Sequence, residues 1–237
     1  MKRIRIDMPV DPESINTIQL PLFDFQKPST YAFELFPKVW GAAEALIDEQ
    51  AENRRSGLDI LEELNAARFS PLISYLLFSR LIEPDLTLRA RIIKILANVL
   101  SPDENGQYAP DSVRQVLLHH LSFLQMHEIY VLLEAAEFDE TTVTGIVSLF
   151  KTNCMTGDDL LEIVMNRKMP LTLRGQAANI IARVGYVDIA PDLERYINRL
   201  ESKVNGQQLF SANTLDAIDD GQLLPVLKNA LNVLQAL

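Results

Sequence analysis

Between Leu171 and Val184 the apolar positions Leu173, Ala177, Ile180, Ile181 and Val184 fall on one arc of a helix that turns about 100° per residue. Leu88, Ile92, Ile95, Leu96 and Val99 draw the same arc farther upstream. A second line on each helix, Ala90 with Ala97 and Gly175 with Ala182, carries only small side chains, which lets a neighbouring helix approach closely. Each helix therefore has two faces to bury and predicts a partner on both.

The two segments are copies. Leu171-Thr172-Leu173-Arg174 repeats Leu86-Thr87-Leu88-Arg89 at an offset of 85 positions, and Ile180, Ala182 and Val184 fall on Ile95, Ala97 and Val99. Beyond the next turn Ala190, Pro191, Asp192 and Arg195 meet Ala109, Pro110, Asp111 and Arg114 at an offset of 81, so the earlier copy has the longer loop. A constant offset that breaks only in a loop marks a duplicated structural unit, and units of this kind stack.

Arg174, Ala177, Ala178, Ile181, Gly185, Asp188, Ala190, Pro191 and Leu193 together resemble the HEAT-like repeats first associated with phycobilisome lyases. The upstream copy departs from that pattern, with Ile92 and Ile93 in place of the alanine pair and Leu100 in place of the glycine. The resemblance implies an all-α fold, an α-solenoid of HEAT-like antiparallel helix pairs that binds through a surface. It does not imply an activity. Chromophore or small-molecule lyases belong to the wider family, so lyase chemistry stands as an alternative, but nothing outside the repeat residues supports it.

The remaining helices follow from turn and cap residues. They are expected from about Lys38 to Asn53, from Leu58 to Arg68 after a break at Ser56-Gly57, and from Leu72 to Ile82 behind the Ser70-Pro71 start. Others are expected over Asp111 to Met126, His127 to Glu137 and Asp139 to Lys151, with Asn105-Gly106 turning the chain before them. A capping box of Thr156 and Asp159 opens a helix from Asp158 to Arg167. Another runs from Pro191 to about Ser202, and after a loop near Asn205 to Gln208 the last begins at Gln222. Its stripe of Leu223, Leu227, Leu231 and Leu234 suits closure of the last unit, or a homodimer through this C-terminal helix.

Residues 1–36 read differently from the helical repeat domain expected over 37–237. Pro9, Pro12, Pro21, Pro28 and Pro37 punctuate an extended arm, in which Gln19, Leu20, Pro21, Leu22 and Phe23 resemble the QLxLF peptide that docks bacterial replication and repair proteins on the sliding clamp. That resemblance implies a clamp-tethered DNA-maintenance accessory as an alternative function. The other use of Leu20, Leu22 and Phe23 is to pack the arm onto its own helices.

Composition narrows the classes. The net charge of −10 argues against a dedicated nucleic-acid binder, because phosphate recognition needs a surplus of Lys and Arg. One cysteine, Cys154, permits no intrachain disulfide. No apolar run is long enough to span a membrane, and no secretory signal of the usual form opens the chain, so the cytoplasm is the expected location.

No glycine-rich phosphate loop, GxSxG, HExxH or CxxC is present, and no catalytic residue, metal ligand or cofactor is assigned. His119 and His120 are neighbours on a helix and point about 100° apart, so they cannot readily share a metal. His120, with Leu117, Leu121 and Leu124 on its arc, reads as a partly buried core residue, which makes a site of His120, His127 and Cys154 the weaker reading. The acidic pairs Glu62-Glu63, Asp139-Glu140, Asp158-Asp159 and Asp219-Asp220 read as solvated helix caps.

What remains is a polar stripe that both copies share. Thr87, Arg91, Lys94 and Asn98 on the first and Thr172, Gln176, Asn179 and Arg183 on the second lie on one line of each helix. Second helices of such repeats line a concave face, so Arg91, Lys94, Asn98, Gln176, Asn179 and Arg183 are the candidate groove residues for a protein or peptide partner, an acidic one by charge; the other reading of the stripe is the ordinary solvated side that every such helix needs. The expected function is a non-catalytic interaction or scaffold module.

Overall fold

The structure is a computed structural model that describes residues 30–153, 155–208 and 215–237. Among the described residues the chain is all-helical, with twelve α-helices, one short 3-10 turn and no strand. In order these are α1 (Thr30–Ala45), α2 (Ala51–Glu63), the single turn α3 (Ala66–Phe69), α4 (Pro71–Ser79), α5 (Leu86–Leu100) and α6 (Asp111–Leu121). Then come α7 (Met126–Ala135), α8 (Glu140–Phe150), α9 (Thr156–Met165), α10 (Leu171–Val184), α11 (Ala190–Gln208) and α12 (Leu215–Gln235).

The cap residues act largely as their types dictate. Ser70 Oγ accepts from the Ile73 amide with Pro71 behind it, and Asp85 accepts from the Thr87 and Leu88 amides at the start of α5. Asp139 caps α8 by accepting from the Thr142 amide at 2.7 Å. Gly185 ends α10 at φ 85°, a left-handed position that glycine takes without steric cost.

Several expected boundaries are corrected. Helix α1 begins at Thr30 and runs through Pro37, so the extended reading of the arm does not hold over 30–36. Helix α2 continues through Ser56-Gly57 without a break. Gly57 serves packing there, since a Cβ on it would lie 2.6 Å from the Ala42 carbonyl oxygen of α1. The helix from Asp111 stops at Leu121, and α7 turns by 107° from α6. Thr156 is the first residue of α9 and not its cap, and its buried Oγ1 has no hydrogen-bond partner among the described residues. Helix α11 extends to Gln208 and α12 begins at Leu215, which replaces the expected loop by helix on both sides.

Helices α2, α5, α8, α10 and α12 touch in succession, so the two copies, α5 and α10, stand in one row with α8 between them. Beside the row α1 packs on α2, α4 on α6, α9 on α10 and α11 on α12. A single apolar core runs the length of the molecule, from Ala42 to Leu234. Both predicted arcs lie in it: Leu88, Ile92, Ile95, Leu96 and Val99 are buried, as are Leu173, Ala177, Ile180 and Ile181, with Val184 packed at the margin. The small line is used on α5, where Ala97 meets Gly145 of α8. On α10 a Cβ at Gly175 would meet nothing within 4 Å among the described residues, so the glycine reflects no close approach of a neighbouring helix there. The leucine stripe of α12 is buried as its helix packs on α10 and α11, which leaves it unavailable for pairing between chains.

Candidate functional site

The candidate groove residues lie on the row, and the structure shows what they touch. Arg91 of α5 reaches α2, with Nη2 at 2.7 Å from Asp59 Oδ1 and 2.5 Å from Glu62 Oε2. Lys94 reaches α8, with Nζ donating to Asp139 Oδ2 at 2.7 Å. Arg183 of α10 reaches back to α8, donating to Glu140 Oε1 at 2.5 Å and Thr144 Oγ1 at 3.2 Å. Every cation of the stripe is thus matched by a carboxylate from the neighbouring helix. Lys94, with help from the Thr141 hydroxyl and the Thr142 amide, holds the Asp139 carboxyl well below the usual carboxylate range.

Neutralisation changes what the stripe can recognise. Arg91, Lys94 and Arg183 join helix to helix, so little positive charge is left over for an acidic ligand. Asn179 is exposed and Gln176 half-buried on α10. Asn98 is exposed and borders a small cleft with Leu61, Glu62, Asn65 and Ile95, where Asn65 adopts a left-handed backbone at φ 49°. The surface the row offers is therefore one of amides, hydroxyls and paired charges.

Beneath it lies a set of residues whose role the sequence did not disclose. The fourth residue of α2, α5 and α10 is an arginine, Arg54, Arg89 and Arg174, and all three are buried. Arg54 donates back to the Asp48 and Glu49 carbonyls and forward to the Glu83 carboxylate. Arg89 donates back to the Glu83 carbonyl and forward to the Val131 carbonyl and the Glu134 carboxylate. Arg174 donates back to the Val164 carbonyl and forward to the Tyr196 hydroxyl, 3.9 Å from Asp220. Each guanidinium ties its own helix to the turn or helix end before it and to an element that follows. The five-donor planar fork is what permits this. Helix α8 lacks the feature and has Val143 at that position.

Two carboxylates read as surface features, or not singled out at all, are interior. Glu83 is 2% exposed and accepts from Arg54, Arg80 and the Asp85 amide. Burial pushes its carboxyl up, but the hydrogen bonds from Arg54 and Arg80 outweigh that and leave it below the ordinary range. Asp220, expected to be a solvated cap, is 3% exposed and takes Arg167 and Arg174. Nothing in local spacing announces either role, since the partners come from other helices.

His120 is half-buried as expected, its ring 4.8 Å from that of Tyr75 and 5.4 Å from that of Phe78. Burial, and then the neighbouring His119, push its pKa down. Among the described residues no three of His, Cys, Asp and Glu come together to hold a metal ion, and Cys154 lies outside them. Gln19, Leu20, Leu22 and Phe23 also lie outside the described residues. Among those described, no single helix is long and apolar enough to cross a membrane. No protein-family model matches the chain, and neither a curated protein nor a solved structure does.

Proposed function

We propose that this chain is a HEAT-like helical solenoid that acts as a non-catalytic interaction module, with the exposed side of the α2, α5, α8, α10 and α12 row as a binding surface for a partner protein or peptide. The observation that carries the reading is the buried arginine at the fourth position of α2, α5 and α10. A residue used three times to join one helix unit to the next is the mark of a stack, and stacks present long continuous surfaces. The groove binds through Gln176, Asn179 and Asn98 rather than through free cations, because Arg91, Lys94 and Arg183 already have carboxylate partners.

The test is affinity capture from native extract, followed by reconstitution with the purified captured protein. Gln176→Trp and Asn179→Trp, which place bulk on the row without breaking an ion pair, are expected to weaken the reconstituted complex at least tenfold. A complex that tolerates both overturns the groove assignment.

The clamp-docking alternative rests on Gln19, Leu20, Leu22 and Phe23 alone. It predicts direct binding to a purified bacterial sliding clamp that Leu22→Ala with Phe23→Ala abolishes. Equal binding by that double variant overturns it.

A further inference from the structure

The acidic residues of this chain are unevenly distributed. None lies between Glu63 and Glu83, the stretch that forms α3 and α4, and none between Asp111 and Glu128, which covers the rest of α6. All three histidines, His119, His120 and His127, fall in the second stretch. Helices α4 and α6 pack on each other, so the two acid-free stretches make one face on a chain whose net charge is −10. The cations at its margins, Arg80 and Arg114, are held by Glu83 and Asp111 just outside it.

A ladder of rings crosses that face. Tyr75 contacts His120 at 4.8 Å between centroids, His120 contacts His119 at 5.3 Å, and His119 contacts Phe123 at 5.2 Å. Phe78 flanks His120 from the α4 side. The ends of the ladder stand in solvent, with Tyr75 45% and Phe123 64% exposed, and His120 between them is half-buried. Each ring follows the last at about 5 Å between centroids.

We infer that the α4–α6 face is a second docking surface, distinct from the row, and that it takes a short acidic segment of a partner protein carrying aromatic or aliphatic anchors. The inference rests on the interaction-module reading and names a surface for it. Exposed rings in a line supply apolar area and π-faces for the anchors. Imidazole N–H groups supply donors for the carboxylates. With Asp111 and Glu128 only at the ends of the second stretch, the face lowers the repulsion an acidic segment meets elsewhere on this surface, which favours it by difference.

The experiment selects a random twelve-residue phage-displayed peptide library on the full chain and measures the winners as synthetic peptides. They are titrated against the wild type, against Phe123→Ser with His119→Ser, against Tyr75→Ser, and against Gln176→Trp. All the ladder residues changed are exposed or at the margin, and circular dichroism establishes that each variant keeps its helices. Peptides enriched in Asp or Glu with aromatic or aliphatic residues, weakened at least tenfold by the ladder variants and unaffected by Gln176→Trp, are the expected result. Peptides that lack acidic enrichment, or that bind the ladder variants as well as the wild type, overturn the inference. Loss with Gln176→Trp alone returns binding to the row and sinks the ladder while the module reading stands, whereas no selected peptide at all counts against both. A wild-type dimer in light scattering that Phe123→Ser dissociates also overturns it, because the occupant is then a second copy of the chain.

Discussion

Arg54 of α2 and Glu83 of the turn between α4 and α5 meet in the interior, with Nη2 donating to Oε1 at 2.7 Å and Nε to the same carboxylate at 3.1 Å. The remaining guanidinium nitrogen serves the Asp48 and Glu49 carbonyls, so one side chain satisfies two turns. Removing Glu83 leaves the Arg54 guanidinium buried without its carboxylate, whereas Glu83 without Arg54 keeps Arg80 and the Asp85 amide. Glu83→Ala is expected to lower Tm by roughly 10 °C, while Arg54→Met combined with Glu83→Leu recovers only part of the loss, because the Asp48 and Glu49 carbonyls then lack their donor. Differential scanning calorimetry of the two single variants and the double decides it, and additive losses would show that the two residues are not coupled.

Arg174 is expected to behave as a joint between α9, α10 and α11. Lysine keeps the charge but cannot reach the Val164 carbonyl and the Tyr196 hydroxyl together. Amide hydrogen exchange of Arg174→Lys should therefore accelerate across α9 and α11 with α2 unchanged. Uniform acceleration over the whole chain would argue that the joint is not local.

Two glycines within helices should respond in opposite directions to alanine. At Gly57 the new methyl would lie 2.6 Å from a backbone carbonyl oxygen of α1, which must move, at a cost of about 1–3 kcal/mol. At Gly175 the space is open, and the better helix propensity of alanine should stabilise by about 0.5–1 kcal/mol. Urea unfolding of both variants reads the contrast. A Gly57→Ala variant as stable as wild type would mean that α1 and α2 are less closely packed than described.

The pH dependence follows from His120. Its folded pKa lies below the ordinary 6.5, so as pH falls the unfolded chain takes up the proton first and stability declines from about that point downward. His120→Phe keeps a ring between Tyr75 and Phe78 and removes the decline between pH 7 and 5. Glu83 adds a separate loss at lower pH: its folded pKa is depressed, so its contribution is complete above the ordinary 4.5 and disappears as pH falls through the lower folded value. Urea midpoints at pH 7.5, 6.0 and 5.0 test the histidine, and a curve for His120→Phe that parallels the wild type would refute its role.

Across α8 and α10 the pair Glu140 and Arg183 can be exchanged. Glu140 stands at the surface, 76% exposed, and Arg183 is half-buried at 30%, so the pair is solvent-screened on one side; Arg183→Glu alone should cost about 1 kcal/mol, and adding Glu140→Arg should restore it. Binding separates the two roles of the pair. The exchanged protein keeps its stability but presents its charges in reversed places, so a partner seated on the row loses affinity, and unchanged affinity would locate the partner elsewhere.

The sequence by itself determined the helical class and the matching apolar arcs of α5 and α10. Buried apolar side chains recur every three or four residues on α5 and α10 because one face of each must leave water, and that period is a local property of the chain. Cap and turn residues such as Ser70, Asp139 and Gly185 were legible for the same reason, since each acts on amides or carbonyls a few positions away. Tertiary structure decided the rest. Only the meeting of helices distant in sequence makes Gly57 a packing residue rather than a break, Glu83 and Asp220 interior rather than solvated, and Arg91, Lys94 and Arg183 paired rather than available. The electrostatic surroundings of a side chain depend on what arrives across the fold, and a one-dimensional pattern specifies that a helix needs partners without specifying which charges they bring.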